Sequence, residues 1–338
     1  MKSQINVLTG VRGSAVLLVL LSHSSNVGLY LLPGLSFAGV GHNGVYLFFV
    51  LSAFLLTRQI IQAEAQHPLK ITLLLHYAKR RILRIYPLFL LSLLTYYGFF
   101  KYGQGSLVLT PRDIGYSLLL LDGKSFFWTI PVEFKFYFIL PWLAFAFSLW
   151  PKTTMFMSLI FCSQWQLFYP PTAQPIPELL PFLPIFVTGC LSAFIVEHYQ
   201  MIFESKLYNR LFNIGVWLCL TAEFVLSPMV YRIVTGQTVA QNFFHDQFLL
   251  FAVLSALLII CASHCTNSIR SLLESRFLVF WGKVSFSAYL GHILVLDLVL
   301  QHAPFWLNDI GKCLVFFVLT ALTAFISYRC IEAPLTKL

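Results

Sequence analysis

The sequence has few charged residues. Asp, Glu, Lys and Arg make up 10% of its 338 residues, whereas hydrophobic residues make up 58%. An ordinary soluble domain has about 25% charged residues, so this composition excludes a soluble globular protein. Apolar runs of about 20 residues recur along the whole chain, as in proteins with many membrane-spanning helices. We therefore expect an all-α, polytopic membrane protein with a single transmembrane domain over residues 1–338.

Motifs of several common enzyme classes are also missing. The chain has no GxSxG nucleophile elbow, no glycine-rich phosphate loop and no zinc signature. None of its seven cysteines forms a CxxC pair, so neither a disulfide framework nor a thiolate metal site is expected. The sequence predicts no metal ion and no permanently bound cofactor.

Hydropathy and turn signals predict about ten spans. They lie near residues 7 to 32, 40 to 62, 84 to 101, 126 to 149, 154 to 170, 180 to 200, 208 to 231, 246 to 265, 277 to 302 and 309 to 330. An even number of spans places both termini on one side of the membrane.

The positions of the basic residues predict which side that is. If both termini are cytoplasmic, sixteen of the 22 Lys and Arg residues lie on or near the cytoplasmic side, and the other six are Lys101, Arg112, Lys124, Lys135, Arg232 and Lys312. Because loops rich in Lys and Arg stay inside, cytoplasmic termini are favoured. A basic inner rim facing anionic lipid also accounts for the net charge of +9, and no nucleic-acid partner is expected.

The first predicted span, "LTGVRGSAVLLVLLSHSSN", contains Arg12 and His23. Eleven residues at 100° each make three turns plus about 20°, so the two side chains share one helix face about 16 Å apart along the axis. Arg12 could simply extend to the cytoplasmic boundary, and His23 could be a packed group that bridges helices. Polar residues within spans usually face a bundle interior or a water-filled cavity, and histidine suits proton transfer near neutral pH.

A basic segment, "HYAKRRILRIYP", precedes the predicted third span and contains Lys79, Arg80, Arg81 and Arg84. Arg81 and Arg84 are three positions apart, so their guanidinium groups lie on one helix face and could clamp phosphate groups. Such a cluster beside a membrane more often contacts lipid headgroups, and that interpretation stays open.

Two later segments carry further polar residues. "FFWTIPVEFKFY" places Glu133 and Tyr137 on one face at the predicted outer end of the fourth span, where Glu133 could act on a substrate or form an interfacial ion pair. "GKVSFSAYLGH" spaces Ser285, Tyr289 and His292 as one stripe, for which hydrogen bonding between helices is the plainer role.

Taken in order from residue 9 to residue 335, these segments resemble the membrane-bound acyltransferase-3 family. The matching positions are Arg12 and His23, "GVYLFFVLSAFLL" with Ser52, the pair Arg81 and Arg84, "WTIPVEFKFY" with Trp128, Glu133 and Tyr137, "GKVSFSAYLGH" and the ending "IEAP". Ala53 departs from the family's glycine after Ser52, which would change how closely helices approach there. Ile130 replaces the usual leucine.

The resemblance implies an enzyme of the bacterial cytoplasmic (inner) membrane. Members transfer an acyl group, most often acetyl, from cytoplasmic acyl-CoA to a hydroxyl group of a cell-surface or lipid-linked glycan. The C-terminal esterase-like extension of some members is not expected here, so a separate extracytoplasmic partner protein would have to supply that part if it is needed.

The resemblance also implies roles for the site residues. Arg81, Arg84 and Arg80 would bind acyl-CoA, with Arg12 at its diphosphate or pantetheine. His23 would be the general base, acting directly or through an acyl-histidine, and Glu133, near the outer surface, would orient the sugar or stabilise the imidazolium. The supporting polar cavity would contain Ser52, Trp128, Tyr137, Ser285, Tyr289 and His292. A transporter or flippase is the alternative, and broken helices or matching half-repeats would favour it.

Overall fold

The computed structural model describes residues 2–66, 71–168, 178–200, 206–239 and 246–335. These residues are largely helical and form no strand, which confirms the all-α fold. The helices are α1 (Lys2–Asn26), α2 (Gly41–Gln66), α3 (Ile71–Lys101), α4 (Pro111–Leu118), α5 (Thr129–Leu149), α6 (Pro151–Phe168), α7 (Leu183–His198), α8 (Lys206–Val225), α9 (Pro228–Thr235), α10 (Phe248–His264), α11 (Asn267–Leu273), α12 (Arg276–Lys283), α13 (Ser285–His302), α14 (Asp309–Ser327) and α15 (Ala333–Leu335).

The described chain is a multi-pass membrane protein. It contains six helices that are long and apolar enough to cross a membrane, or up to nine if each of three bent pairs forms one span. The predicted number of ten is not confirmed. The additional predicted span corresponds to α6, which is not among these candidates. Its apolar segment is short and is interrupted by Lys, Thr, Ser and Gln residues.

Helix α3 begins earlier than the sequence predicted. The third span was expected to start at residue 84, whereas α3 starts at Ile71 and contains Arg81 and Arg84 within its length. The basic residues therefore do not precede the helix. Its helical geometry instead directs Arg81 and Arg84 toward neighbouring helices.

Three helix pairs are bent, and two of these bends divide a predicted span. The chain bends by 89° between α8 and α9, by 111° between α10 and α11, and by 80° between α12 and α13. The third bend divides the predicted ninth span, so that α13 starts at Ser285. Bends of this size have local causes such as Pro or Gly, and here Pro228 starts α9 while Gly282 precedes α13.

Glycines hold α1 against α11 and α12. A Cβ atom at Gly10 would lie 1.8 Å from the carbonyl oxygen of Leu273, and one at Gly282 would lie 1.8 Å from that of Thr9. Small residues permit this close approach of membrane helices. The contact sets the position of α1, which carries Arg12 and His23.

The substitution at Ala53 is accommodated by the opposite helix. A Cβ atom at Gly189 of α7 would lie only 2.8 Å from the Cβ atom of Ala53. The helices α2 and α7 can therefore approach closely at Ala53, because α7 has a glycine at the contact. Ser52 lies on a different face of α2.

Candidate active site

A cavity lies among α1, α2, α3, α5 and α13. We call it the polar cavity, because polar side chains from all five helices line it. They are Arg12, Ser52, Arg84, Thr129, Glu133, Tyr137, Ser285 and Tyr289. All eight residues come from segments that the sequence singled out.

A second cavity adjoins the first. It shares Arg12, Ser52 and Arg84 with the polar cavity and adds Arg81 and Gln59. The predicted pair of arginines thus faces one continuous polar region. The Nε atom of Arg81 is buried and has no hydrogen-bond partner among the described residues. An orphaned guanidinium donor of this kind is suited to an anionic ligand.

Glu133 is the centre of a hydrogen-bond network in the polar cavity. Its Oε1 atom accepts hydrogen bonds from Ser52 Oγ and Tyr137 OH, each at 2.5 Å. The two hydroxyl oxygens are 3.1 Å apart. The Arg81 guanidinium lies over the Tyr137 ring, 5.9 Å from its centroid. Glu133 is therefore held in place by α2 and α5 together and linked to a cationic residue of α3.

The polar cavity also brings Arg12 and Arg84 together. These two cations interact electrostatically, as do Arg12 and Glu133, and Glu332 interacts with both arginines. Two arginines near each other in a membrane need carboxylates or an anionic ligand to balance them. Glu133 and Glu332 supply part of that balance.

Glu332 is a site residue that the sequence reasoning missed. It is buried, and its Oε2 atom accepts a hydrogen bond of 3.1 Å from Ser287 Oγ. It ends a short π-helix, Tyr328–Glu332, and such segments occur frequently at functional sites. The "IEAP" motif contained this signal, but hydropathy alone does not show that Glu332 turns inward.

The bend before α13 places a helix N-terminus at the polar cavity. Ser285 begins α13, and Ser285 and Phe286 both line the cavity. A helix N-terminus carries a partial positive charge and binds anions, so it adds to the field of Arg12 and Arg84. The predicted stripe of Ser285 and Tyr289 therefore faces the cavity from the anion-binding end of α13.

His23 and His292 form a pair beyond Tyr289. Their ring centroids are 4.8 Å apart with an interplanar angle of 56°. The Nδ1 atom of His292 lies 2.6 Å from the carbonyl oxygen of Tyr289. A carbonyl oxygen can only accept, so Nδ1 is the donor and, in the neutral ring, Nε2 is an acceptor. This Nε2 atom is buried and has no hydrogen-bond partner among the described residues.

The placement of Glu133 differs from the expectation. The sequence separated Arg12, at the cytoplasmic boundary, from Glu133, near the outer surface, whereas the structure places both on one cavity. Its hydrogen bonds go to Ser52 and Tyr137, and the ring beside His23 is that of His292. A role of Glu133 at the His23 imidazolium stays a prediction. Phe126, which contacts His292, lies in the short 3-10 helix Ser125–Trp128 that precedes α5.

Trp128 and His292 lie outside the polar cavity that they were expected to form, and neither Arg80, expected to bind acyl-CoA, nor His23, expected to be the general base, lines either polar region. Trp128 is buried against the rings of Phe49 and Phe182 and does not line the polar cavity. Arg80 is exposed and lines neither polar region. His292 contacts His23 instead of the cavity. The functional roles predicted for these residues stay predictions.

Within the described ranges, no three His, Cys, Asp or Glu side chains are arranged to hold a metal ion. Partly buried arginines and a carboxylate around one cavity, in a helical multi-pass membrane protein, are typical of a membrane enzyme or a transporter. The comparisons with known proteins distinguish these classes at the level of family.

The chain belongs to the acyltransferase-3 family, because the family model of the acyltransferase domain matches residues 5–331. It is also similar to O-acetyltransferase OatA of Staphylococcus aureus strains NCTC 8325 and COL, with 25% identity over 98% of this chain and 57% of each relative. The chain thus spans little more than half the length of these curated relatives. No solved structure matches it.

Proposed function

We propose that this protein is an O-acyltransferase of the bacterial inner membrane that transfers an acyl group, acetyl in the first instance, from acyl-CoA to a hydroxyl group of a cell-surface or lipid-linked glycan. Family membership and the likeness to O-acetyltransferase OatA support acyl transfer. The observation that carries the proposal is the polar cavity, where three helices contribute arginines or a carboxylate and a fourth contributes its N-terminus.

The donor would bind at the arginines. Arg81 and Arg84 line the second polar region, and Arg81 has an orphaned Nε donor. Arginine binds phosphate oxygens through its planar fork of donors, so these residues suit the phosphates of coenzyme A. Arg12, shared by both regions, would hold the part of the donor that lies deeper.

His23 would be the general base for the acceptor hydroxyl group. In the neutral tautomer derived above, His292 Nε2 would accept a hydrogen bond from the protonated ring nitrogen of His23, which would leave the unprotonated nitrogen of His23 free to take the proton of the hydroxyl group. His292 would thus take the place of the carboxylate that commonly orients a catalytic histidine. Glu133 would hold Arg12 and the hydroxyl groups of Ser52 and Tyr137 in position for the thioester.

Calorimetric titration of acetyl-CoA into the detergent-purified protein tests the donor site. The wild-type protein should bind saturably, and Arg81→Ala/Arg84→Ala should lose most of that binding. Arg80→Ala is the matched control, because Arg80 belongs to the same cluster but is exposed and should bind as the wild type does. Undiminished binding by a folded double variant would contradict this donor site.

A transporter is the second candidate, and the three bent helix pairs favour it. Proteoliposomes with acetyl-labelled acetyl-CoA outside and a glycan acceptor inside distinguish the two functions. An acyltransferase should give label in covalent linkage to the glycan. Accumulation of unreacted labelled donor in the lumen, without acylated glycan, would favour transport.

A further inference from the structure

A third cavity lies on the opposite face of α1. We call it the apolar cavity. Leu17, Leu18 and Leu21 of α1 line one side, and Glu223 and Phe224 of α8 line the other. At 100° per residue, those leucines point about 140° to 240° away from Arg12 around the helix axis. Helix α1 therefore separates the apolar cavity from the polar one.

Among the residues that the structure describes, Glu223 is the only ionisable one that lines the apolar cavity. It is 6% exposed, and its Oε1 atom has no hydrogen-bond partner among the described residues. The two serines of the cavity already donate elsewhere, Ser14 to the carbonyl oxygen of Val11 and Ser227 to that of Phe224. A buried carboxyl group without a partner is costly, so it indicates a polar group that arrives with a ligand.

The lining of the cavity indicates the chemical character of the rest of that ligand. The other residues that line the cavity are apolar apart from the two serines, and α1 and α8 belong to candidate membrane spans. Phe37, from the loop after α1, closes one end with its ring centroid 6.4 Å from that of Phe224. Phe224 itself is 47% exposed, so the cavity reaches the outer surface of the helix bundle. A ligand would enter sideways, from the bilayer.

We propose that the apolar cavity binds one hydrocarbon chain of a membrane lipid, with Glu223 hydrogen-bonded to a hydroxyl or ester oxygen of that lipid. The chain would cover Leu17, Leu21 and Phe224. The polar group of the lipid would satisfy the Oε1 atom of Glu223, which has no hydrogen-bond partner among the described residues. This site is independent of the acyl transfer proposed above, because it lies across α1 from the polar cavity.

Photocrosslinking tests the proposal. The purified protein is placed in nanodiscs of phosphatidylethanolamine and phosphatidylglycerol that contain phosphatidylglycerol with a diazirine in one acyl chain, and labelled peptides are mapped by mass spectrometry. Label should concentrate on the peptides with Leu17 to Leu21 and Leu220 to Phe224. Leu21→Trp, which fills the cavity, should remove most of that label. Leu218→Trp is the matched control, since Leu218 is 64% exposed on α8 and does not line the cavity.

Glu223→Leu tests the polar contact separately. Loss of one hydrogen bond should weaken retention of the lipid by about two- to tenfold, and Glu223→Gln should retain more of it than Glu223→Leu does. If Leu21→Trp does not yield monodisperse protein, the ratio between wild type and Glu223→Leu decides the matter alone. Label spread evenly over all lipid-facing helices, and unchanged in these variants, would mean surface lipid only and would overturn the proposal.

Discussion

Glu133 and Glu223 are the same side chain in two opposite environments. Glu133 accepts hydrogen bonds from Ser52 and Tyr137 and interacts with Arg12. Glu223 lies among leucine and phenylalanine side chains and has an oxygen with no partner in the described chain. A carboxyl group within a span is expensive in both cases. Glu133 is stabilised by side chains of the protein itself, whereas Glu223 would be stabilised by the proposed lipid.

The two environments are the two sides of α1. On one side, α1 presents Arg12 to the polar cavity and His23 to His292; on the other, it presents three leucines to the apolar cavity. The position of a residue within a span therefore does not determine its role. The role depends on which neighbouring helices complete its surroundings.

The largest effect should come from His23→Ala, which removes the proposed general base from the polar side of α1. We expect acyl transfer to fall by about 10²- to 10⁴-fold, the usual contribution of such a base. Calorimetry should show unchanged binding of acetyl-CoA, since His23 does not line the arginine region. His302→Ala is the control, because His302 is exposed and bonds to Gln104. Normal turnover in His23→Ala would refute the assignment.

The two carboxyl groups can be compared directly. Glu133→Gln should lower kcat/KM by about 10- to 100-fold, because hydrogen bonds to a charged group contribute about 1.5–3 kcal/mol and 1.4 kcal/mol is a factor of ten. Glu223→Gln should change it by less than about twofold on the same reasoning, since its Oε1 has no partner to lose. Steady-state transfer assays on both variants check this. Equal losses of kcat/KM in the two variants would contradict the proposed difference between the two carboxyl groups.

Both cavities depend on the close contact of α1 with α12. Gly282→Ala would force a Cβ atom against the carbonyl oxygen of Thr9, and such overpacking costs about 1–3 kcal/mol of unfolding free energy. Gly98→Ala is the matched control, because no atom lies within 4 Å of its Cβ position. That variant should be neutral or slightly more stable, as alanine favours helix. Thermal unfolding in detergent measures both, and a Gly282→Ala protein as stable as wild type would contradict the packing argument.

The smallest effect should come from His292, which acts through His23. His292→Leu should lower kcat by about two- to tenfold, the value of the one hydrogen bond that is proposed to form between His23 and His292 Nε2 during transfer, and leave KM for acetyl-CoA unchanged. His292→Gln keeps a donor and an acceptor and should recover part of the activity. A rise in KM with unchanged kcat would instead show that His292 only supports the donor site.

Several features could be predicted from the sequence because they depend on one helix at a time. The shared face of Arg12 and His23, the pair Arg81 and Arg84 and the stripe from Ser285 to His292 all follow from 3.6 residues per turn. The composition was sufficient to predict a multi-pass helical protein, and the ordered motifs were sufficient to predict the family that the comparisons show.

The relations between helices were decided only by the tertiary structure. It brings Glu133 to Arg12, turns Glu332 inward through a π-helix, breaks the predicted ninth span before Ser285 and sets His292 beside His23. It also leaves Glu223 alone in an apolar cavity. Hydropathy shows which segments lie in the membrane. It does not show which helices pack together, because any apolar helix is equally well solvated by lipid. The register between helices depends instead on close contacts at small residues such as Gly10, Gly189 and Gly282, which no single segment reveals.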